Sequence, residues 1–156
     1  MTDDRKASHR KKLKVIGWRE WVGLPDLGID QIKVKVDSGA QTSALHATKI
    51  RYIEKHNGET LVSFLVISHL SPRTFARVRA PLVEQRKVKS SLGHATIRPV
   101  ILTQIQLGGD VFPAEITLVN RDPMGFRMLL GRQALRGRYL IHPSRSFLLS
   151  PEIEGV

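Results

Sequence analysis

Val36-Asp37-Ser38-Gly39-Ala40-Gln41-Thr42-Ser43-Ala44-Leu45-His46-Ala47 decides how the rest of the chain is read. Ile32, Val34 and Val36 alternate with Lys33 and Lys35 and run straight into it, which is the period-2 pattern of a strand with one buried face. The strand then meets a carboxylate, a hydroxyl and a glycine in succession. Glycine lets the backbone turn tightly and leaves its N–H open to a neighbour. The small side chains of Ala40 and Ala44 let another backbone come close. Such a loop holds one carboxylate still and presents it to a reacting group. Asp, Ser and Gly are also ordinary turn formers, so the triplet alone does not separate catalysis from turn chemistry.

A second stretch separates them. Met128-Leu129-Leu130-Gly131-Arg132-Gln133-Ala134-Leu135 is an apolar run, a glycine, and a short helix-prone piece. Val36-Asp37-Ser38-Gly39-Ala40 and Leu129-Leu130-Gly131-Arg132, in that order and separation, resemble the paired motifs of retropepsin-like aspartic proteases. Gly17-Trp18-Arg19-Glu20-Trp21, Leu24-Pro25-Asp26-Leu27-Gly28, Arg98-Pro99-Val100 and Asn120-Arg121-Asp122 extend the likeness over residues 14–149. They are similar to the bacterial RimB-like family, catalogued as "ATP-dependent zinc proteases" and encoded beside the RimK glutamate ligase. The resemblance implies an all-β, closed retropepsin-like barrel with one short C-terminal helix. It implies Asp37, Ser38 and Gly39 as the catalytic loop, with Gly131 and Arg132 as its structural support. The family pattern often has an acid four residues after the catalytic Asp to pair with the late Arg. Here that position is Gln41, so Arg132 needs another partner.

The chain has 156 residues, the size of one domain. It is read as a basic arm over 1–13, a peptidase domain over 14–150 and a tail over 151–156. Its formal net charge is +11, and Arg5, Lys6, Arg10, Lys11 and Lys12 put part of that charge in the arm, with Lys14 just beyond it. A surface of this sign attracts polyanions: RNA, ribosomes or acidic polypeptides. Cysteine is absent, which removes disulfides, thiol catalysis and cysteine zinc sites. A reducing cytoplasm is the expected location. The N-terminus shows no apolar signal segment, and no apolar run reaches membrane-spanning length.

Leu13 and Val15 alternate with Lys12 and Lys14 as a first strand. Trp18, Trp21 and Val22 read as core, with a base-stacking platform as the alternative use of two tryptophans. Pro25-Asp26-Leu27-Gly28 is a turn. Residues 49–67 form a hairpin about His56-Asn57-Gly58-Glu59. From Pro72 the chain is basic, with Arg73, Arg77, Arg79, Arg86, Lys87, Lys89 and Arg98 opposed by Glu84, and this basic segment is assigned to the flap and its approach. Residues 83–89 and 95–100 read as strands joined at Ser90-Ser91-Leu92-Gly93-His94, which the resemblance makes the flap over substrate. Small residues suit such a lid. Ala40, Arg86, Lys87, Lys89, His94 and Arg98 are the expected substrate-binding residues, and alternation lets only some of the basic ones face the groove. Ile101, Thr103, Ile105 and Leu107, then Phe112, Ala114, Ile116 and Leu118, alternate about Gly108-Gly109-Asp110 as the clearest hairpin. Residues 128–130 form a buried strand and 132–136 one helical turn closed near Gly137. Strands at 139–141 and 146–149 finish the chain.

Three chemistries can be tested against these residues. The histidines His9, His46, His56, His69, His94 and His142 include no His-Glu-x-x-His, and a zinc site would have to assemble from His46, His94 and Asp37 across the fold. No Gly-x-x-x-x-Gly-Lys-Ser/Thr is present, so no ATP binding is expected. The third chemistry is an aspartic dyad, in which two adjacent carboxylates share a proton. It needs two Asp-Ser/Thr-Gly loops and this chain carries one, so a homodimer with one Asp37 from each chain is expected. The expected function is an aspartic peptidase without metal or other cofactor, acting on acidic, polyglutamate-like tails tied to RimK-type modification of ribosomal protein. The alternatives are a non-catalytic basic module docking on ribosomes or RNA, and a zinc peptidase using His46.

Overall fold

A computed structural model describes residues 12–67, 75–89, 92–120 and 125–150. The alternation that leads to Asp37 becomes β3 (Ile29–Asp37), with Ile32 and Val34 in the core and Lys35 exposed. Eleven further strands surround it among the described residues: β1 (Lys14–Gly17), β2 (Arg19–Leu24), β4 (Ser43–His46), β5 (Thr48–Glu54), β6 (Thr60–Ile67), β7 (Phe75–Pro81), β8 (Glu84–Lys89), β9 (Ala95–Leu107), β10 (Asp110–Val119), β11 (Met128–Gly131) and β12 (Tyr139–His142). One short helix, α1, spans Arg132–Leu135 and closes at Gly137, whose φ of 76° suits a residue without a Cβ. The all-β expectation holds.

The pairings β10–β4–β11–β3–β2–β9 return to β10, because β9 and β10 also form a long antiparallel hairpin. The strands therefore pair in a ring. β8 extends from β9 beside it, while β5–β6–β7 make a separate three-stranded sheet and β1–β12 a parallel pair. Ile101, Ile105 and Leu107 from β9, Phe112, Ile116 and Leu118 from β10, and Met128 and Leu130 from β11 fill the core together with Val62 and Phe64 from β6. Burial of these apolar groups is the main favourable term in folding.

Four details differ from the reading of the sequence. β9 is one strand of 13 residues, merging the stretches at 95–100 and 101–107. β7 is a strand where only a basic stretch was expected. In β1 Ile16 and Gly17 are buried, whereas Val15, and Leu13 just before the strand, are exposed; the backbone of Arg145 and Ser146 covers Gly17. Residues 146–149 are not a strand. Phe147 takes φ 55°, and the backbone N–H groups of Leu148, Leu149 and Ser150 donate to the carboxylate of Glu20 instead of to a neighbouring strand. Trp21 is buried and stacked on Phe147, and Trp18 packs edge-on against Phe126. Trp21 is thereby core, as read, and unavailable to stack on a base.

Candidate active site

Asp37 ends β3, and the chain turns at once. Ala40 N–H donates to the Asp37 carbonyl at 3.2 Å. Gly39 N–H donates to Asp37 Oδ1 at 3.0 Å, so the loop's own backbone orients the carboxylate. Asp37 is half-buried, and Ser38 and Gly39 are exposed. Among the described residues Oδ2 has no hydrogen-bond partner.

The loop is held from behind by the late motif. β11 runs parallel to β3 with Gly131 beside Asp37, and antiparallel to β4 with Leu129 beside Ala44. Gly131 N–H donates to Ser43 Oγ at 3.0 Å. Arg132 N–H donates to the Ala40 carbonyl at 2.7 Å and Gln133 N–H to the Gln41 carbonyl at 3.0 Å. A Cβ at Gly131 would stand 2.6 Å from the Thr42 carbonyl carbon, so only glycine permits this approach. Arg132 Nη1 donates to the Ser38 carbonyl at 3.3 Å. That contact is the partner the guanidinium finds in place of the acid that Gln41 replaces. The first turn of α1 thus satisfies its N–H groups on the very loop that carries Asp37.

The expected flap residues divide between two faces. Arg86 and Arg98 are cross-strand partners on β8 and β9, so they share a face; Lys87 pairs with Ile97 and Lys89 with Ala95 on the other. Arg86 belongs to the Asp37 side: its Nη1 donates to Thr42 Oγ1 at 3.3 Å. Its remaining N–H groups bond Glu84 and, at 3.4 Å, Glu115. The hydrogen bonds that Arg86 donates to Glu84, and then the charge of Glu115, raise the guanidinium pKa against the opposing effect of burial. Arg98 Nε donates to Thr96 Oγ1 at 3.2 Å. Lys87 and Lys89 are exposed, as is His94 at the hairpin tip. Ser90 and Ser91 of that tip, Arg73 and His69 lie outside the described residues. Arg77 and Arg79 sit on β7 in the three-stranded sheet and not on the β8–β9 hairpin, which corrects their assignment to the flap and its approach.

The donor set for zinc does not assemble. His46 is buried on β4 and His94 is exposed at the hairpin tip. Among the described residues no three His, Asp or Glu side chains gather as metal ligands. Sequence reasoning missed Ser43, Thr42 and Glu115. Ser43 had a signal, since a buried Gly131 N–H beside the loop needs an acceptor; Glu115 had none, because its meeting with Arg86 depends on how β10 lies beside β9.

A ring of strands with one Asp-Ser-Gly loop, backed by a Gly-Arg turn on a parallel neighbour, defines a retropepsin-like β-fold. The chain belongs to the RimB-like family, described as retropepsin-like aspartic endopeptidase RimB, whose model matches residues 15–152. It is 47% identical over 136 residues to a "Probable alpha-L-glutamate ligase" of Shewanella pealeana, covering 86% of this chain and 30% of that protein. A protein of the same name from Desulfotalea psychrophila is 46% identical over 84% of this chain and 28% of its own length. The chain therefore spans less than a third of these relatives. A solved structure of a Legionella pneumophila protein of unknown function superposes with a TM-score of 0.73 at 27% identity, over 88% of this chain and 99% of that one. Among the described residues no helix is long and apolar enough to cross a membrane.

Proposed function

We propose that this chain is an aspartic-type peptidase domain that acts as a homodimer, with Asp37 of each copy forming one dyad. The observation that carries the reading is the Asp37 loop itself: a half-exposed carboxylate, aimed by Gly39 N–H and fixed from behind by the Gly131–Arg132 turn. A single loop supplies one carboxylate, and a two-fold axis supplies the second. In the dyad the ionised Asp37 takes a proton from water as the oxygen attacks the scissile carbonyl carbon, while the protonated Asp37 donates to the carbonyl oxygen. Collapse of the tetrahedral species breaks the C–N bond, with a proton passing to the leaving nitrogen. The group in this cycle is a carboxylate, so ATP and metal enter no step.

The substrate is an acidic polypeptide, polyglutamate-like, in a cytoplasmic RimK-type system. Two observations support it: the net charge of +11, and relatives named as glutamate ligases, in which a region like this chain forms part of a longer protein. The test is Asp37→Asn assayed on a glutamate-rich peptide with chelator present and absent. Cleavage should vanish in the variant and should not respond to chelator in the wild type, while polyanion binding persists. Cleavage that survives Asp37→Asn would return the protein to the zinc reading or to a base elsewhere. Polyanion binding by a wild type that cleaves no peptide would favour the non-catalytic docking module, on a ribosome or RNA, which the same net charge supports.

A further inference from the structure

Moving Arg77 and Arg79 off the flap gives them other neighbours. Val62, Phe64 and Val66 of β6 and Val78 and Ala80 of β7 are buried in the core, so by alternation Leu61, Ser63 and Leu65 look the other way, as do Arg77 and Arg79. Ser63 is directly opposite Arg79 on one side and Arg51 on the other. Arg77 Nη1 reaches over and donates to Ser63 Oγ at 3.1 Å. Ser63 is 3% exposed although it lies on the outward face. Arg51, Arg77 and Arg79 are themselves exposed, and among the described residues none of them has a carboxylate within ion-pair distance. Three like charges on one sheet face repel, and an anion relieves the repulsion.

We infer that this face is a docking surface for a carboxylate-rich segment of polypeptide. Side chains on one face of an extended chain recur at about 6.6–6.8 Å, which is also the spacing of Arg77 and Arg79 along β7. An acidic segment lying along β7 therefore offers its carboxylates in step with the guanidiniums. Each guanidinium can take a carboxylate through two parallel N–H···O bonds, which an ammonium cannot. Half-buried Leu61 and Leu65 give the aliphatic stems of glutamates an apolar floor. The inference rests on the acidic substrate proposed above and adds a second hold on it, on a different sheet from Asp37.

Fluorescence anisotropy of a labelled glutamate oligomer, titrated with full-length Asp37→Asn protein at low salt, tests this without turnover. Combining Arg51→Gln, Arg77→Gln and Arg79→Gln should weaken binding about tenfold or more, as three exposed charge contacts are lost together. Should that variant fold poorly, Arg51→Gln with Arg79→Gln keeps the Arg77–Ser63 hydrogen bond and should show a smaller loss of the same sign. Unchanged affinity in a folded variant would overturn the proposal. So would a loss confined to a labelled oligoribonucleotide titrated in parallel, which would assign the face to nucleic acid. Cleavage of a short neutral peptide, measured with Asp37 restored, should be equal with and without the three substitutions. Binding and cleavage are read separately, so failure of the docking surface and failure of the peptidase reading cannot be confused.

Discussion

Glu20 and Asp37 are both carboxylates on neighbouring strands of the ring, and the fold treats them in opposite ways. Glu20 has no solvent exposure. Its Oε2 accepts from Gly17 N–H and Leu148 N–H, each at 2.7 Å, and its Oε1 accepts from Leu149 N–H, Ser150 N–H and Ser150 Oγ. Every lone pair is committed, and the C-terminal segment is fastened to β2 as a result. Asp37 is half-buried and, among the described residues, takes one backbone N–H on one oxygen. A carboxylate saturated with donors is structural; one that is oriented yet leaves an oxygen unclaimed can exchange protons.

One class of substitution should therefore give opposite results at the two positions. Glu20→Gln replaces an acceptor by an amide N–H that faces backbone donors, and should cost about 3 kcal/mol or more, since buried charged hydrogen bonds are lost and donors stranded. Urea unfolding would measure that loss, and activity per folded molecule should stay near wild type. Asp37→Asn should leave stability within about 0.5 kcal/mol, as for a surface change, and lower cleavage by about a thousandfold or more, the scale of general acid–base catalysis. Equal stability losses at the two sites would break the comparison.

Gly131→Ala sharpens it further. The added methyl meets the Thr42 backbone at 2.6 Å, so overpacking should cost about 1–3 kcal/mol and also displace the Asp37 loop. A parallel loss of stability and of kcat is expected. Intact kcat in the folded fraction would show that the clamp does not position the carboxylate.

The smallest effect concerns Tyr139, which is buried and donates to Asp110 Oδ2 at 3.0 Å. Burial first, and the hydrogen bond to Asp110 second, raise its pKa well above the ordinary value. Folding therefore favours the neutral phenol. Its contribution is fully present below the unfolded value of about 10 and is lost as pH rises above it toward the folded value. Tyr139→Phe should cost about 1 kcal/mol at neutral pH, and the gap to wild type, followed by urea unfolding, should close above about pH 10. A gap that widens there would reverse the sign.

The Asp37 side of the comparison was legible in the sequence and the Glu20 side was not. The Asp37 loop, the Gly131–Arg132 turn and the hairpin at Gly108–Gly109 are local patterns, written within a dozen residues each. Glu20 sits between Arg19 and Trp21 with nothing local to mark it. Its burial depends on N–H groups some 130 positions later. The same segment, 146–149, reads as a strand because its apolar residues are visible and the carboxylate that takes its N–H groups is not. β7 was hidden for another reason: its core-facing residues, half-buried Ala76 and buried Val78 and Ala80, are small and stand beside arginines, so charge masked the alternation.

The central claim is that catalysis needs two Asp37 side chains from two copies. Wild-type chains at fixed concentration, mixed and equilibrated with increasing Asp37→Asn chains, test it most directly. Mixed dimers carry one Asp37 and should be inactive, so total activity should fall as the variant is added, following the wild-type fraction at constant wild-type concentration. Activity that stays constant across the titration, with mixed dimers shown to form or with every species monomeric, would contradict the shared dyad.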